Sequence, residues 1–481
     1  MDELFSEKSF TQLQMLHFIA SGPNKMRKTK EIVDSVPISQ QTVRIYLNDL
    51  MDDILQVMPK DASCRLKKIP HGYQIIGAEQ DVLARLVLKY GKQSPIFMLL
   101  HMIVTSKRFS INNYCEKAYV SSGNFYKKSD KLKVFLANYG LSMNSRFQII
   151  GEEYDIRQLL FSVYFTLFKD IDNPFASFVV AEAQQVLDQF LNEELKTVTF
   201  GKSDRNRFLM YLMISVLRIN GGHFLHEKNP YFPSERHSSS TIDFLKRRFG
   251  FSDRRANLEY QLLKSFLELE KIVPYSTMHY THNITESFIT IAGDFVKLLK
   301  QHSISEVDEQ SLEAINFGLR NMFKNILLSE SKRVDSLFFL READVSEEFP
   351  VQFKICLEFL NTYFQKEPML NPSLLRNRSL MLHLFISLEE VFELGHLRYD
   401  VALRVDCSYG VFGREYIKRK IRQQLALPIT IVDSDEQKAD ILITDRSTSP
   451  DTNERILVWN YPPTSSNWET LIASIKEKLR V

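Results

Sequence analysis

The sequence predicts a mainly α-helical, multidomain chain that ends in a small α/β domain. Three observations carry this. A nine-residue pattern occurs twice in the first third. A long middle stretch is poor in glycine and rich in aromatic residues at helical spacing. Short β-type runs alternate with helical ones from about Leu397 onward. At 481 residues the chain is too long for one core, and roughly 100–200 residues per domain gives about three to five domains. The composition, 44% hydrophobic and 25% charged, is that of a globular protein, and only 16 Gly and 16 Pro leave little room for hairpins.

The repeat comes first in the chain. Tyr73-Gln74-Ile75-Ile76-Gly77-Ala78-Glu79-Gln80-Asp81 recurs as Phe147-Gln148-Ile149-Ile150-Gly151-Glu152-Glu153-Tyr154-Asp155. Each copy reads as a short strand, a glycine turn and the acidic first turn of a helix running on from Val82 or Ile156. Upstream of the first copy, residues 10–20 have helical spacing and 29–36 form a short second helix. Pro37-Ile38-Ser39 is a turn, and Ser39 caps a third helix to about residue 54. Upstream of the second copy the helices are 95–106 and 111–118, the turn is Val120-Ser121-Ser122, and a third helix runs to about residue 139. Helix, helix, tight turn, helix, strand, glycine turn is the plan of a winged helix-turn-helix, here over residues 1–82 and again over 83–160.

A recognition helix needs one apolar face for its own core and hydroxyl, amide or basic groups on the other. Val43, Leu47 and Leu50 form the inner stripe of the first, leaving Gln40, Gln41, Thr42 and Arg44 outside. Phe125, Leu132 and Phe135 do so in the second, leaving Ser122, Asn124, Tyr126, Lys127, Lys128 and Lys131. Arg65, Lys67 and Lys68 stand where a wing approaches phosphates, and Arg146 has the matching place in the second unit. Residues 1–160 hold 22 Lys and Arg against 16 Asp and Glu, a local +6, while the remainder is −4 on a chain of net +2. One such pattern alone would equally suit a small helical bundle with a solvated basic face. The shared tail favours DNA binding.

Residues 160–395 read as helical, with Leu159, Leu160, Val163, Tyr164 and Leu167 setting the spacing. Breaks fall at Asn220-Gly221-Gly222, at 229–233, at Phe249-Gly250 and at 367–373. The length fits two helical domains, 161–283 and 284–396. From 397 to 481 strands at 401–406, 429–432, 439–444 and 455–459 alternate with helices at 412–425 and 468–479, which means a small parallel sheet.

Cys64, Cys115, Cys356 and Cys407 are scattered, without a C-x-x-C pair, which suits a reducing cytoplasm and excludes a disulfide framework. No secretory signal and no apolar run of about 20 residues is seen, so neither export nor a membrane span is expected. His223/His226 and His279/His282 lack a matching carboxylate or thiolate set, so no metal is expected. No Walker loop, G-x-S-x-G or H-E-x-x-H occurs. The expectation is therefore a binding protein without cofactor, not an enzyme.

In its order of parts the chain resembles the Mga/AtxA group of transcription regulators of Gram-positive bacteria. The paired Gln-Ile-Ile-Gly tails and the stretch Tyr119-Val120-Ser121-Ser122-Gly123-Asn124-Phe125-Tyr126, similar to the group's recognition turn, carry the likeness. The resemblance implies that the helical pair are phosphotransferase-system regulation domains (PRDs). It implies that the tail is like an enzyme IIB subunit of the sugar phosphotransferase system, and that the chain controls global or virulence genes as a homodimer or higher oligomer. It points to His223 and His383 as phosphoryl acceptors, although His383 in Leu380-Met381-Leu382-His383-Leu384-Phe385 also suits a core histidine. Cys407-Ser408-Tyr409-Gly410 sits where an enzyme IIB carries its phosphocysteine. Tyr409 and Phe412 are bulky, however, and Gly413-Arg414 replaces the usual hydroxyl residue, so a docking or dimerising tail is favoured over an active one. The expected partners are promoter duplex DNA, a second copy and phosphotransferase-system phosphocarriers, with no membrane. The rival reading is a phosphotransferase-system signalling or transfer protein whose winged units bind only protein.

Overall fold

A computed structural model of the chain describes residues 2–59, 64–77, 79–106, 108–169, 171–196, 201–226, 238–269, 286–302, 313, 316, 350–363, 401–406, 408, 410–425, 429–432, 439–445, 454–460 and 462–479. The described residues up to 269 fall in one compact unit and those from 286 onward in a second. The chain is mainly helical, with a helix-turn-helix region at its start and a small α/β sheet near its end.

The first unit opens with α1 (Glu7–Ala20), β1 (Met26–Lys28), α2 (Thr29–Asp34), α3 (Gln40–Val57), β2 (Arg65–Ile69) and β3 (Gly72–Ile76). α2 ends two residues before the expected 36, because Pro37 bars the helical conformation at Val36. α4 (Glu79–Gln93) then leads to α5 (Pro95–Thr105), α6 (Ile111–Ala118), α7 (Ser122–Ala137), β4 (Ser142–Met143), β5 (Ile149–Ile150) and α8 (Glu153–Phe168). The first wing is the antiparallel sheet β1-β3-β2; the second is the two-residue ladder Ser142 to Ile150 and Met143 to Ile149.

The repeat's glycines have a physical reason. Gly77 has φ +96°, and a Cβ there would meet the Cys64 backbone at 2.9 Å. Gly151 has φ +158°, and a Cβ would lie 2.3 Å from the Leu141 side chain. Each wing strand can turn into its following helix only where no side chain intervenes.

α4 joins the two winged spans. It packs on α1 and α3 behind it and on α5 and α8 ahead. Lys89 Nζ donates to Asp53 at 2.5 Å and to Gln56 at 2.6 Å, and the buried Tyr90 hydroxyl donates to Asp53 at 2.6 Å, so the far end of α3 is pinned to α4. One apolar core runs without a break from Leu4 to Leu267.

α9 (Ser177–Glu193), α10 (Lys202–Asn220), α11 (Ser240–Phe249) and α12 (Asp253–Leu269) complete the unit around α8. At their centre lies a buried ionic network. The fully buried Arg157 of α8 donates to Glu153 at 3.0 Å and forks onto Glu259 of α12 at 2.6 and 3.0 Å. Arg218 of α10 forks onto Glu153 at 3.0 and 2.6 Å. Two arginines and two carboxylates thus balance in charge, which is what allows them inside.

In the second unit α13 (Glu286–His302) meets α14 (Pro350–Tyr363) through Phe295 and Phe359, edge to face at 4.6 Å. The sheet has the order β7-β6-β8-β9 and is parallel throughout: β6 (Val401–Asp406), β7 (Ile429–Val432), β8 (Ile441–Thr444) and β9 (Arg455–Val458). α15 (Gly410–Gln424) and α16 (Ser465–Leu479) accompany it, α16 starting three residues before the expected 468. Among the described residues no helix is long and apolar enough to cross a membrane.

Candidate nucleic-acid interface

Both third helices are built alike. Ser39 caps α3 by accepting from the Thr42 N–H at 3.2 Å, and Ser121 caps α7 by accepting from the Asn124 N–H at 3.3 Å. From either cap, the positions four, eight, eleven and fifteen residues on are buried: Val43, Leu47, Leu50 and Ile54 in α3, Phe125, Ser129, Leu132 and Leu136 in α7. The same register therefore fixes which face of each helix looks outward.

On α3 that outward face carries Gln40, Gln41 and Arg44, all exposed, with Thr42 half-buried against the Ser39 hydroxyl. Ile45 and Asn48 continue it, Ile45 with half its surface in water. On α7, Ser122, Asn124, Tyr126, Lys127 and Lys131 are exposed and Lys128 is half-buried. The first wing presents Arg65, Lys67 and Lys68 on β2, all exposed. Leu66 between them is buried, so strand alternation turns Arg65 and Lys67 to the outer side, and Lys68 lies beyond the edge of the core. Arg146 sits exposed in the turn of the second wing, its N–H held by the Asn144 carboxamide oxygen at 3.0 Å.

The second wing is clamped to α7 by rings. Phe147, in the left-handed conformation at φ +59°, packs on Phe125 at 5.3 Å and on Phe109 at 5.0 Å, and Tyr114 meets Phe125 at 5.5 Å. The Tyr114 hydroxyl donates to the Pro95 carbonyl at 2.9 Å, and burial pushes its pKa up to about 12. Periodicity marked Phe125 as core; the wing's share in that cluster had no signal beyond the aromatic residue opening the repeat.

The candidate phosphoryl acceptors stand elsewhere. His223 is half-buried just past the end of α10. Burial and then the nearby Arg218 lower its pKa from 6.5, and its carbonyl accepts from Arg157 at 3.4 Å. His226 is exposed. His279, His282, His383, Cys407 and Tyr409 lie outside the described residues. Beside Cys407, the Ser408 N–H donates to both Asp445 carboxylate oxygens at 3.0 and 3.1 Å, and its hydroxyl donates to the same carboxylate. Among the described residues no group of His, Cys, Asp and Glu is placed to hold a metal.

Residues 80–165, from α4 into α8, match the family model described as the Mga helix-turn-helix domain. The chain is also 23% identical over 254 residues to a protein of Streptococcus pneumoniae serotype 4 described as a "Putative trans-acting regulator". That match covers 52% of this chain and 48% of the other, so the chain spans about half the length of the curated relative it matches. The likeness to the Mga group seen in the sequence is thus shown: the chain carries an Mga-type helix-turn-helix and is related to a trans-acting-regulator-like protein.

Proposed function

We propose that the chain is a transcription regulator that binds promoter duplex DNA through both winged units together. The observation that carries this is the matched pair of third helices. Both are serine-capped and buried in the same register, and both leave hydroxyl, amide and cationic side chains in water. Lys127, Lys128, Lys131, Arg65, Lys67, Lys68 and Arg146 suit phosphate contacts, which position a protein on the duplex. Gln40, Gln41, Arg44 and Asn124 suit base edges in the major groove. Since α4 ties both units into one core, they dock as one body.

Beyond that region, the helices from α8 to α12 act as the first of two PRD-like domains. A phosphocarrier of the phosphotransferase system would load His223 and His383, each phosphoryl group adding roughly −2 charge. The contact of the His223 carbonyl with Arg157 supports coupling to α8. The C-terminal α/β domain serves as an enzyme IIB-like docking or dimerising module, supported by the Asp445 carboxylate at the Ser408 amide, where a phosphoryl anion would have to sit. The protein works in the cytoplasm as a binding protein without catalytic chemistry.

Titration of labelled duplex with the full chain tests the reading. Affinity should fall steeply as salt rises, because bound phosphates release counterions. Lys127→Ala with Lys128→Ala should weaken binding to every sequence and reduce the salt slope by about 1 to 2. Changes at Gln41 or Asn124 should shift sequence preference more than affinity. Absence of salt-sensitive binding at micromolar protein would leave the winged units as protein-binding modules.

A further inference from the structure

We propose that Tyr119 is a DNA anchor: its ring lies along the sugar–phosphate backbone beside the groove that α7 enters, and its hydroxyl donates to a phosphate oxygen. The proposal rests on the DNA-binding reading above and adds a contact that charge and amide patterns do not reveal.

Tyr119 closes α6 in the left-handed conformation, φ +53° and ψ +43°, a state that favours glycine and asparagine and strains a ring-bearing residue. The residue is nevertheless 96% exposed. A tyrosine ring held in water at a strained position loses on both counts in the free protein, since it buries no apolar area to offset the backbone. The turn itself needs only the backbone: the Tyr119 N–H donates to the Glu116 carbonyl at 3.4 Å and the Val120 N–H to the Cys115 carbonyl at 3.0 Å. In the first unit the residue two positions before the cap serine is Pro37, which restricts the turn without an aromatic side chain. The aromatic group is therefore not a requirement of the turn.

The surroundings select the partner. Lys117 precedes Tyr119 on an exposed position, and Ser121, Ser122, Asn124 and Lys127 follow it, all exposed. Lysine and hydroxyl groups around an exposed aromatic are ill suited to the core of a protein interface, where lysine and serine are depleted. They suit a polyanion. In a helix-turn-helix the first helix crosses the backbone and the second enters the major groove, so the turn between them meets the phosphate strand at the groove's edge. A phenol offers that strand an apolar face for the sugar and a donor for the phosphate.

Full-length chain and its Tyr119→Asn and Tyr119→Phe variants would be titrated into a fluorescent mixed-sequence duplex of about 30 base pairs, roughly three helical turns. Melting of each protein is followed in parallel. Asparagine keeps the left-handed turn and removes the ring, so the melting temperature should hold or rise while affinity falls about tenfold. Phenylalanine should lose about threefold, and the salt slope should be unchanged in both because no cation is removed. Binding by Tyr119→Asn within about twofold of the parent, or a loss of affinity that tracks a lower melting temperature, overturns the anchor while leaving the DNA-binding reading intact. Failure of the parent chain to bind the duplex at any salt overturns that reading and the anchor with it.

Discussion

His101 shows how a single half-buried residue makes the fold sensitive to acid. It lies on α5, facing α8, with Nδ1 at 2.9 Å from the Tyr164 hydroxyl and its ring stacked on Phe97 at 5.9 Å. Burial, then the positive charge of Lys117, lower its pKa from the ordinary 6.5. The neutral imidazole is thus the form the fold accommodates. Below pH 6.5 the unfolded chain takes up a proton that the folded chain resists, so this contribution is present above 6.5 and is lost as pH falls toward the depressed folded value. His223 is shifted in the same direction and adds to the same window. Melting temperatures of the full chain should therefore drop between pH 7.5 and 5.5. His101→Gln, which can still pair with the Tyr164 hydroxyl, should show a smaller drop. An identical pH dependence in parent and variant would remove His101 from the account.

At the scale of elements, the third helices were the most legible part of the chain. Val43, Leu47 and Leu50, and Phe125, Leu132 and Phe135, follow a local period, and a serine before such a run announces a cap. β1 was not legible, because three residues are too few to carry an alternation and Met26–Lys28 takes its place only by pairing with β3, whose sequence lies 48 positions away at Met26 and Gln74. The link between Arg157 and Glu259 spans 102 residues and leaves no local trace. The exposed side chains of the candidate interface could be named from the sequence, but Tyr119 could not, since its backbone conformation and exposure are properties of the folded turn. The caps themselves separate folding from binding. Ser121→Ala removes the acceptor for the Asn124 N–H and should cost about 1 kcal/mol, read by denaturant unfolding. Ser121→Asp keeps an acceptor at the positive end of α7, so stability should stay within roughly 0.5 kcal/mol of the parent. If α7 meets DNA as proposed, the added negative charge at its start should nevertheless weaken duplex binding. Equal binding by Ser121→Asp and the parent would place the start of α7 away from the phosphates.

For the first compact unit as a whole, the decisive feature is where its charges are buried. α8 both follows the second wing and carries Arg157 and Glu153, so the winged region and the helices beyond it meet in one network. Arg157 gives two of its nitrogens to Glu259, and Glu153 takes both contacts of Arg218. Removing one member is unlike removing a pair. Glu259→Gln leaves a fully buried guanidinium short of an anion and should destabilise by about 3–5 kcal/mol. Arg157→Met with Glu259→Met takes out one positive and one negative charge, leaves Glu153 and Arg218 matched, and fills the space with apolar volume. That double variant should recover most of the loss, because the desolvation cost of the pair disappears with its attraction. Because the core is continuous from Leu4 to Leu267, the loss in Glu259→Gln should not stay local. Amide exchange in α3, which holds no member of the network, should quicken along with exchange in α12. Faster exchange confined to α8, α10 and α12 would mean that the winged units fold independently. A signal at the helical region would then have to reach the proposed recognition helices, α3 and α7, by some route other than a shared core.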